Sequence, residues 1–235
     1  MVVRNKAKAK TVELTFNHED NVNSITPEII ELERIFVWLV NNVVPEPYRQ
    51  AMAKRQYVIT TGYNDNRRKA KVGAYFAKDS WKILSDGTPV HAIHMFGNAF
   101  ALDTIQLVTL LAHETVHAAN HANGIQDCTK DRHTKPFQSL AVEMLMTCTQ
   151  TDKAHGFNNT QPTAELEALI IGELQVNTEV FRKAAEALPP IEAKPKEKTR
   201  IGWTCGCTTG QFNVKTVVDI TCNSCGNKFA PIVTE

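Results

Sequence analysis

The chain has 235 residues, a net charge of only +1, and six cysteines among 43% hydrophobic residues. That length suits one cored domain of about 150–190 residues and one small module, and the near-neutral balance excludes a whole-molecule field that draws in polyanions. Apolar runs such as Ile35–Val40 are far too short to span a bilayer.

Residues 1–10 read as a basic flexible arm bearing Arg4, Lys6, Lys8 and Lys10, with no apolar core of a signal peptide. Thr26-Pro27-Glu28 opens a helix whose apolar positions Ile29, Ile30, Leu32, Ile35, Phe36, Leu39 and Val40 form a buried stripe. Three strand-like stretches follow, Tyr57–Gly62, Val72–Phe76 and Val90–Phe96, with Arg67, Arg68, Lys69 and Lys71 in or beside the first turn. Val90–Phe96 is the candidate edge for adding an extended substrate chain. His91 and His94 point to opposite faces of that strand and read as ordinary strand residues.

Asp103 is the N-cap of the next helix, carried by Ile105, Leu107, Val108, Leu110 and Leu111 and stopped at Gly124. Within it stands His113-Glu114-Thr115-Val116-His117. Residues four apart on a helix share a face, with Cβ atoms roughly 5–6 Å apart. Two imidazoles at that spacing can hold one zinc ion, with Glu114 beside them as a general base. A catalytic zinc needs a third protein ligand and an open position, and His121, Cys128 and His133 compete for that role. His113, His117 and His121 lie along a slanting row roughly 12 Å long, too long for one ion to bind both ends. Cys128 has suitable reach, but a thiolate is an unusual partner for this motif. His133 stands at the mouth of a further helix, opened by Pro136 and carried by Phe137, Leu140, Ala141, Met144 and Cys148.

His113-Glu-Thr-Val-His117-Ala118, then Asn123-Gly-Ile-Gln-Asp127, then His133 with Phe137 four residues on, resemble the SprT-like (Spartan-type) zinc metallopeptidase family. The motif-bearing likeness covers about residues 101–148. It implies His133 as third ligand; Arg132 and Thr134 stand where the family carries glycines, and Pro136 where it often carries Glu. It also implies a zincin-like domain, helices packed on a small sheet, and members of the Spartan type cut proteins attached to or near DNA.

Ala164–Leu188 reads as one more helix, and residues 188–200 as a Pro- and Lys-rich linker. Cys205-Gly-Cys207 and, after fourteen residues, Cys222-Asn-Ser-Cys225 have the spacing of a four-thiolate zinc ribbon, two close pairs with a short β-hairpin between them. SprT-like proteins often carry such a ribbon. Cysteines paired on a metal indicate a reducing compartment, so cytoplasm is expected, or nucleus in a eukaryote.

The expected fold class is α+β. Residues 11–187 form the zincin-like domain and 201–235 the ribbon. The expected cofactors are two zinc ions, one catalytic on His113, His117 and His133, one structural on Cys205, Cys207, Cys222 and Cys225. The expected function is hydrolysis of protein substrates, with Glu114 taking a proton from a zinc-activated water. Single-stranded DNA is a candidate partner, and no membrane is expected. The competing reading is a non-catalytic or latent adaptor whose ribbon binds nucleic acid or protein. An intact Glu114 argues against it, since a scaffold needs the histidines but not the base.

Overall fold

A computed structural model describes residues 26–62, 73–187, 201–207, 212–214 and 219–232. The basic arm, the Arg67–Lys71 cluster and the linker lie outside the described residues. The chain divides into two compact units, Met1–Pro189 and Pro190–Glu235, and is α+β.

In the first unit, α1 (Pro27–Asn42) starts at Pro27 and buries Leu32, Ile35, Phe36, Leu39 and Val40 of the expected stripe, whereas Ile29 is half-buried and Ile30, in the first turn, is exposed. A short α2 (Glu46–Met52) leads into a three-stranded sheet of β1 (Gln56–Gly62), β2 (Ala74–Lys82) and β3 (Pro89–Phe96). The strand order is β1-β3-β2, with β3 parallel to β1 and antiparallel to β2. This corrects one expectation. Val90–Phe96 lies in the central strand, paired on both sides, and β2 is the edge nearest the motif helix.

That helix, α3 (Thr104–Ala122), is capped by the Asp103 carboxylate, which accepts the Gln106 backbone N–H at 2.8 Å. Gly124, at φ +69°, lies just beyond its end, where only a residue without a Cβ turns freely. Leu107, Val108, Leu111, Ala112, Val116, Ala118 and Ala119 are buried, and the alanines let α3 approach its neighbours closely. With α1 and the inner sheet residues Ile59, Ile93 and Met95 they form the main core.

A two-residue hairpin, β4 (Cys128–Thr129) and β5 (Arg132–His133), precedes α4 (Lys135–Glu143). Cys148 was expected on the apolar face of this helix, but the helix stops at Glu143 because Leu145 adopts a left-handed φ of +60°. Cys148 instead belongs to β6 (Met146–Thr149), paired with β7 (Asn159–Pro162), and is buried there. Ala164–Leu188 is likewise divided. α5 (Ala164–Leu169) runs into a π-turn at Ile170–Leu174, Gln175 turns left-handed at φ +47°, and α6 (Thr178–Glu186) starts afresh. The break is held from α1: Arg34 donates to the carbonyls of Leu174 and Gln175 at 2.9 and 3.2 Å, and Glu31 accepts the Asn177 N–H at 2.7 Å.

The second unit contains β8 (Ile201–Thr204), β9 (Phe212–Val214) and β10 (Ala230–Pro231), in the order β10-β8-β9, all antiparallel. The first cysteine pair therefore lies between the paired strands β8 and β9, not ahead of the hairpin. Trp203 is buried within this small unit.

No described helix is long and apolar enough to cross a membrane.

Candidate metal centres

His113 and His117 project from α3, and the β4–β5 hairpin brings His133 to them. His133 Nε2 lies 3.1 Å from both His113 Nε2 and His117 Nε2. Three nitrogens bound to one tetrahedral zinc at 2.0–2.1 Å stand about 3.3 Å apart, so the spacing suits a shared ion. The outer nitrogens reinforce that fit. His117 Nδ1–H donates to Asp127 Oδ2 at 2.8 Å, and His113 Nδ1 pairs with Thr160 Oγ1 at 3.0 Å. The carboxylate fixes the His117 tautomer, leaving a lone pair on the inward Nε2. Lone pairs gathered in this way repel one another unless a cation lies between them.

The ionisation of the three rings shows the same tension. Burial pushes His113 well below the ordinary imidazole range, and the neighbouring His117 and His133 push it further. Burial and His117 bring His133 down to about 4. Burial is the largest influence on His117 and opposes its protonation, but the hydrogen bond to Asp127 and the charges of Glu114 and Asp127 together outweigh it, and the net shift is upward. Phe137 closes one side, its ring centroid 4.5–4.7 Å from all three imidazoles.

The loop between β6 and β7 holds His133 in place. Its backbone N–H donates to the His155 carbonyl at 2.9 Å, and its carbonyl receives the Phe157 N–H at 3.3 Å. Gly156, at φ +66°, lies so close that a Cβ there would stand 2.1 Å from the His133 oxygen. The His155 imidazole itself is exposed and paired with Asp152. Thr134 also ties this hairpin down, donating from its N–H and hydroxyl to the Asp127 carbonyl at 2.9 and 2.8 Å.

Glu114 is buried on α3. Burial raises its carboxyl pKa, opposed by the charge of His117 and by a hydrogen bond from the Phe76 backbone of β2. The base candidate thus touches β2, an edge strand of the sheet among the described residues.

The two rival third ligands are placed elsewhere. Cys128 lies on the outer side of the site with His117 and Asp127, and burial pushes its thiol up to about 12. His121 turns away and packs edge-to-face on His91, ring centroids 4.7 Å apart. His94 is on the other sheet face, its Nδ1 2.8 Å from Thr60 Oγ1.

Cys205, Cys207, Cys222 and Cys225 are all unpaired thiols with sulfurs within 4.8 Å of one another, and the cluster can bind one metal ion. Cys205 and Cys207 sulfurs are 3.2 Å apart and those of Cys207 and Cys222 3.6 Å, far beyond the 2.0 Å of a disulfide. Gly206 and Gly226, at φ +77° and +73°, make the turns that fold each pair inward. Backbone N–H groups of Ser224 and Cys225 bring the Cys222 thiol down to about 6, while neighbouring thiols raise that of Cys207.

Sequence reasoning did not find Asp127, Thr160 or the Gly156 loop as supports. Asp127 was visible as a residue of the loop, but its partner lies ten positions back. Thr160 and Gly156 gave no local signal at all. Comparison with family models, with curated proteins and with solved structures returned no match.

Proposed function

We propose that this protein is a zinc-dependent endopeptidase of the SprT-like type that hydrolyses protein substrates, with a zincin-like first unit and a structural zinc ribbon. One observation carries the reading: three inward-facing Nε2 atoms, two of them 3.1 Å from the third, beside a buried glutamate on the same helix. His113, His117 and His133 hold the ion in this reading. Zinc there supplies Lewis acidity, polarising a peptide carbonyl and making water nucleophilic near neutral pH.

Glu114 takes the proton from the attacking water and delivers it to the leaving amine. Its burial favours the proton-accepting role, because a desolvated carboxylate is a stronger base than a hydrated one. The Phe76 hydrogen bond ties its carboxylate to β2. Asp127 orients His117, and Thr160 orients His113. An extended substrate chain can add to the free edge of β2 by backbone hydrogen bonds; β2, not β3, offers that edge. Four thiolates close a coordination sphere, so the second ion is structural.

The test compares native protein with Glu114→Gln for cleavage of an unfolded protein and for zinc content. Cleavage is expected to fall by about 10²–10⁴-fold with zinc retained. Equal cleavage by both proteins would remove Glu114 as the base. No cleavage by zinc-loaded native protein, with or without DNA, would favour the adaptor reading.

A further inference from the structure

Three side chains that the proposed mechanism does not use converge near the C-terminal end of α3. Asp79, His91 and His121 come from β2, β3 and α3, and their ligand-capable atoms all lie within 4.8 Å of one another. His91 Nδ1 stands 3.6 Å from Asp79 Oδ1. We propose that Asp79, His91 and His121 form a further, exchangeable site for a zinc-class divalent ion, which clamps the edge strand β2 to α3.

The backbone at Asp79 is shaped for this contact. The β2–β3 register slips between Ala77 and Trp81, and within that bulge Asp79 adopts a left-handed φ of +51°. Bulges re-aim side chains, and a non-glycine residue in this region is held there by its surroundings. Here the bulge brings the Asp79 carboxylate back towards His91. A register-true strand would carry it onward with the other exposed residues of β2.

His91 is the second observation. It is only 1% exposed, walled by the rings of Tyr57 and Phe76, and its Nε2 has no hydrogen-bond partner. Its Nδ1 accepts the Asp79 backbone N–H at 3.1 Å, which leaves that lone pair aimed at the Asp79 segment. With Nδ1 accepting, the ring proton sits on Nε2, so the lone pair that an ion would take is that of Nδ1. An ion taking the lone pair replaces a weak backbone contact at a surface bulge. The Asp79 side chain is 53% exposed, so ions reach the site from solvent and water can complete the sphere.

Two imidazoles and one carboxylate suit zinc, cobalt or nickel and disfavour magnesium and calcium, which prefer all-oxygen shells. The apolar wall of Tyr57 and Phe76 keeps the inner side dry. His121 lies one helical turn beyond His117, so this ion would be a neighbour of the His113–His117–His133 centre with no ligand in common.

The test uses the full chain with zinc already filling the three-histidine and four-cysteine centres. Cobalt(II) titration is expected to add one further equivalent, with ligand-field absorption and no thiolate-to-cobalt band. Asp79→Ala and His121→Ala are each expected to weaken it by more than about a hundredfold, since even outer-shell losses cost 10–100-fold. Asp79 lies at the surface, so its variant tests the site without risking the core. His133→Ala, which damages only the proposed catalytic centre, should leave this equivalent in place. A hundredfold excess of ion over its dissociation constant should raise the Tm of the first unit by roughly 5–10 °C. Binding that stops at two ions, a further ion held equally well by Asp79→Ala and His121→Ala, or its loss in His133→Ala would each overturn the assignment. None of these readouts depends on proteolysis.

Discussion

Asp127 does two jobs from a single loop position. Its Oδ2 accepts from His117 Nδ1 at 2.8 Å and from Asn120 Nδ2 at 3.1 Å, while its backbone carbonyl anchors Thr134 beside His133. One residue therefore orients two of the three inward imidazoles, one directly and one through the chain. Asp127→Ala is expected to lower zinc affinity at the histidine centre by about 10–100-fold, measured by competition with a chromogenic chelator. Thr160→Val, which removes only a neutral partner of His113, should cost less. Equal affinities for Asp127→Ala and native protein would show that the tautomer is set some other way. This contrast explains what was legible at the residue scale. His113, Glu114 and His117 are readable because a helix makes their juxtaposition local. Asp127 and Thr160 act across chain distances that no spacing rule encodes. His91 read as an ordinary strand residue and His121 only as a rival third ligand, because nothing but the sheet–helix packing brings the two together.

Helices with regular apolar stripes and a capping residue were recoverable from periodicity: α1 and α3 fall where Pro27, Asp103 and Gly124 mark their ends. The failures share one cause. Leu145 and Gln175 take left-handed backbone conformations that glycine or asparagine normally signals, so α4 appeared too long and α5 and α6 appeared continuous. Strand order was also hidden, since Val90–Phe96 alternates in the same way whether it is central or at an edge. The β6–β7 loop illustrates how an element controls the site from outside it. Gly156→Ala places a Cβ 2.1 Å from the His133 oxygen at a φ of +66°, which must push the His133 hairpin away from α3. Backbone strain of this kind costs about 1–3 kcal/mol. The expected result is a lower Tm together with weakened zinc binding at the histidine centre, followed by calorimetry and metal analysis. Gly172→Ala is the control, because nothing lies within 4 Å of its Cβ; it should leave zinc binding unchanged. Full zinc retention in Gly156→Ala would mean the hairpin is held by Thr134 alone.

The division into two compact units separates the two candidate metal centres as well as the folds. Cys222→Ser should destroy ion binding at the thiolate cluster and unfold the small second unit, because a 35-residue module has too little core without its metal. The first unit should keep its own thermal transition. The same division decides where DNA binding would reside, if the family resemblance extends that far. Residues 201–235 carry Lys215 and Lys228 against Asp219 and Glu235, and so are neutral. Lys228 is also already engaged by Asp219 at 2.8 Å. Trp203, the best stacking residue in the module, is buried and has no face to offer a base. Positive charge is concentrated instead in residues 4–10, 67–71 and 194–200. Single-stranded DNA binding is therefore expected to arise from these segments and to weaken steeply with salt, since each neutralised phosphate releases counterion with a slope of about −0.7 per contact. Replacing the lysines and arginines of one segment by glutamine should lower both the affinity and the salt slope, whereas Lys228→Gln should change neither by more than about twofold. Fluorescence anisotropy with a labelled oligonucleotide across a salt series makes the measurement. Binding that is indifferent to salt, or lost in Lys228→Gln but kept in every segment variant, would move recognition to the ribbon and reverse this assignment.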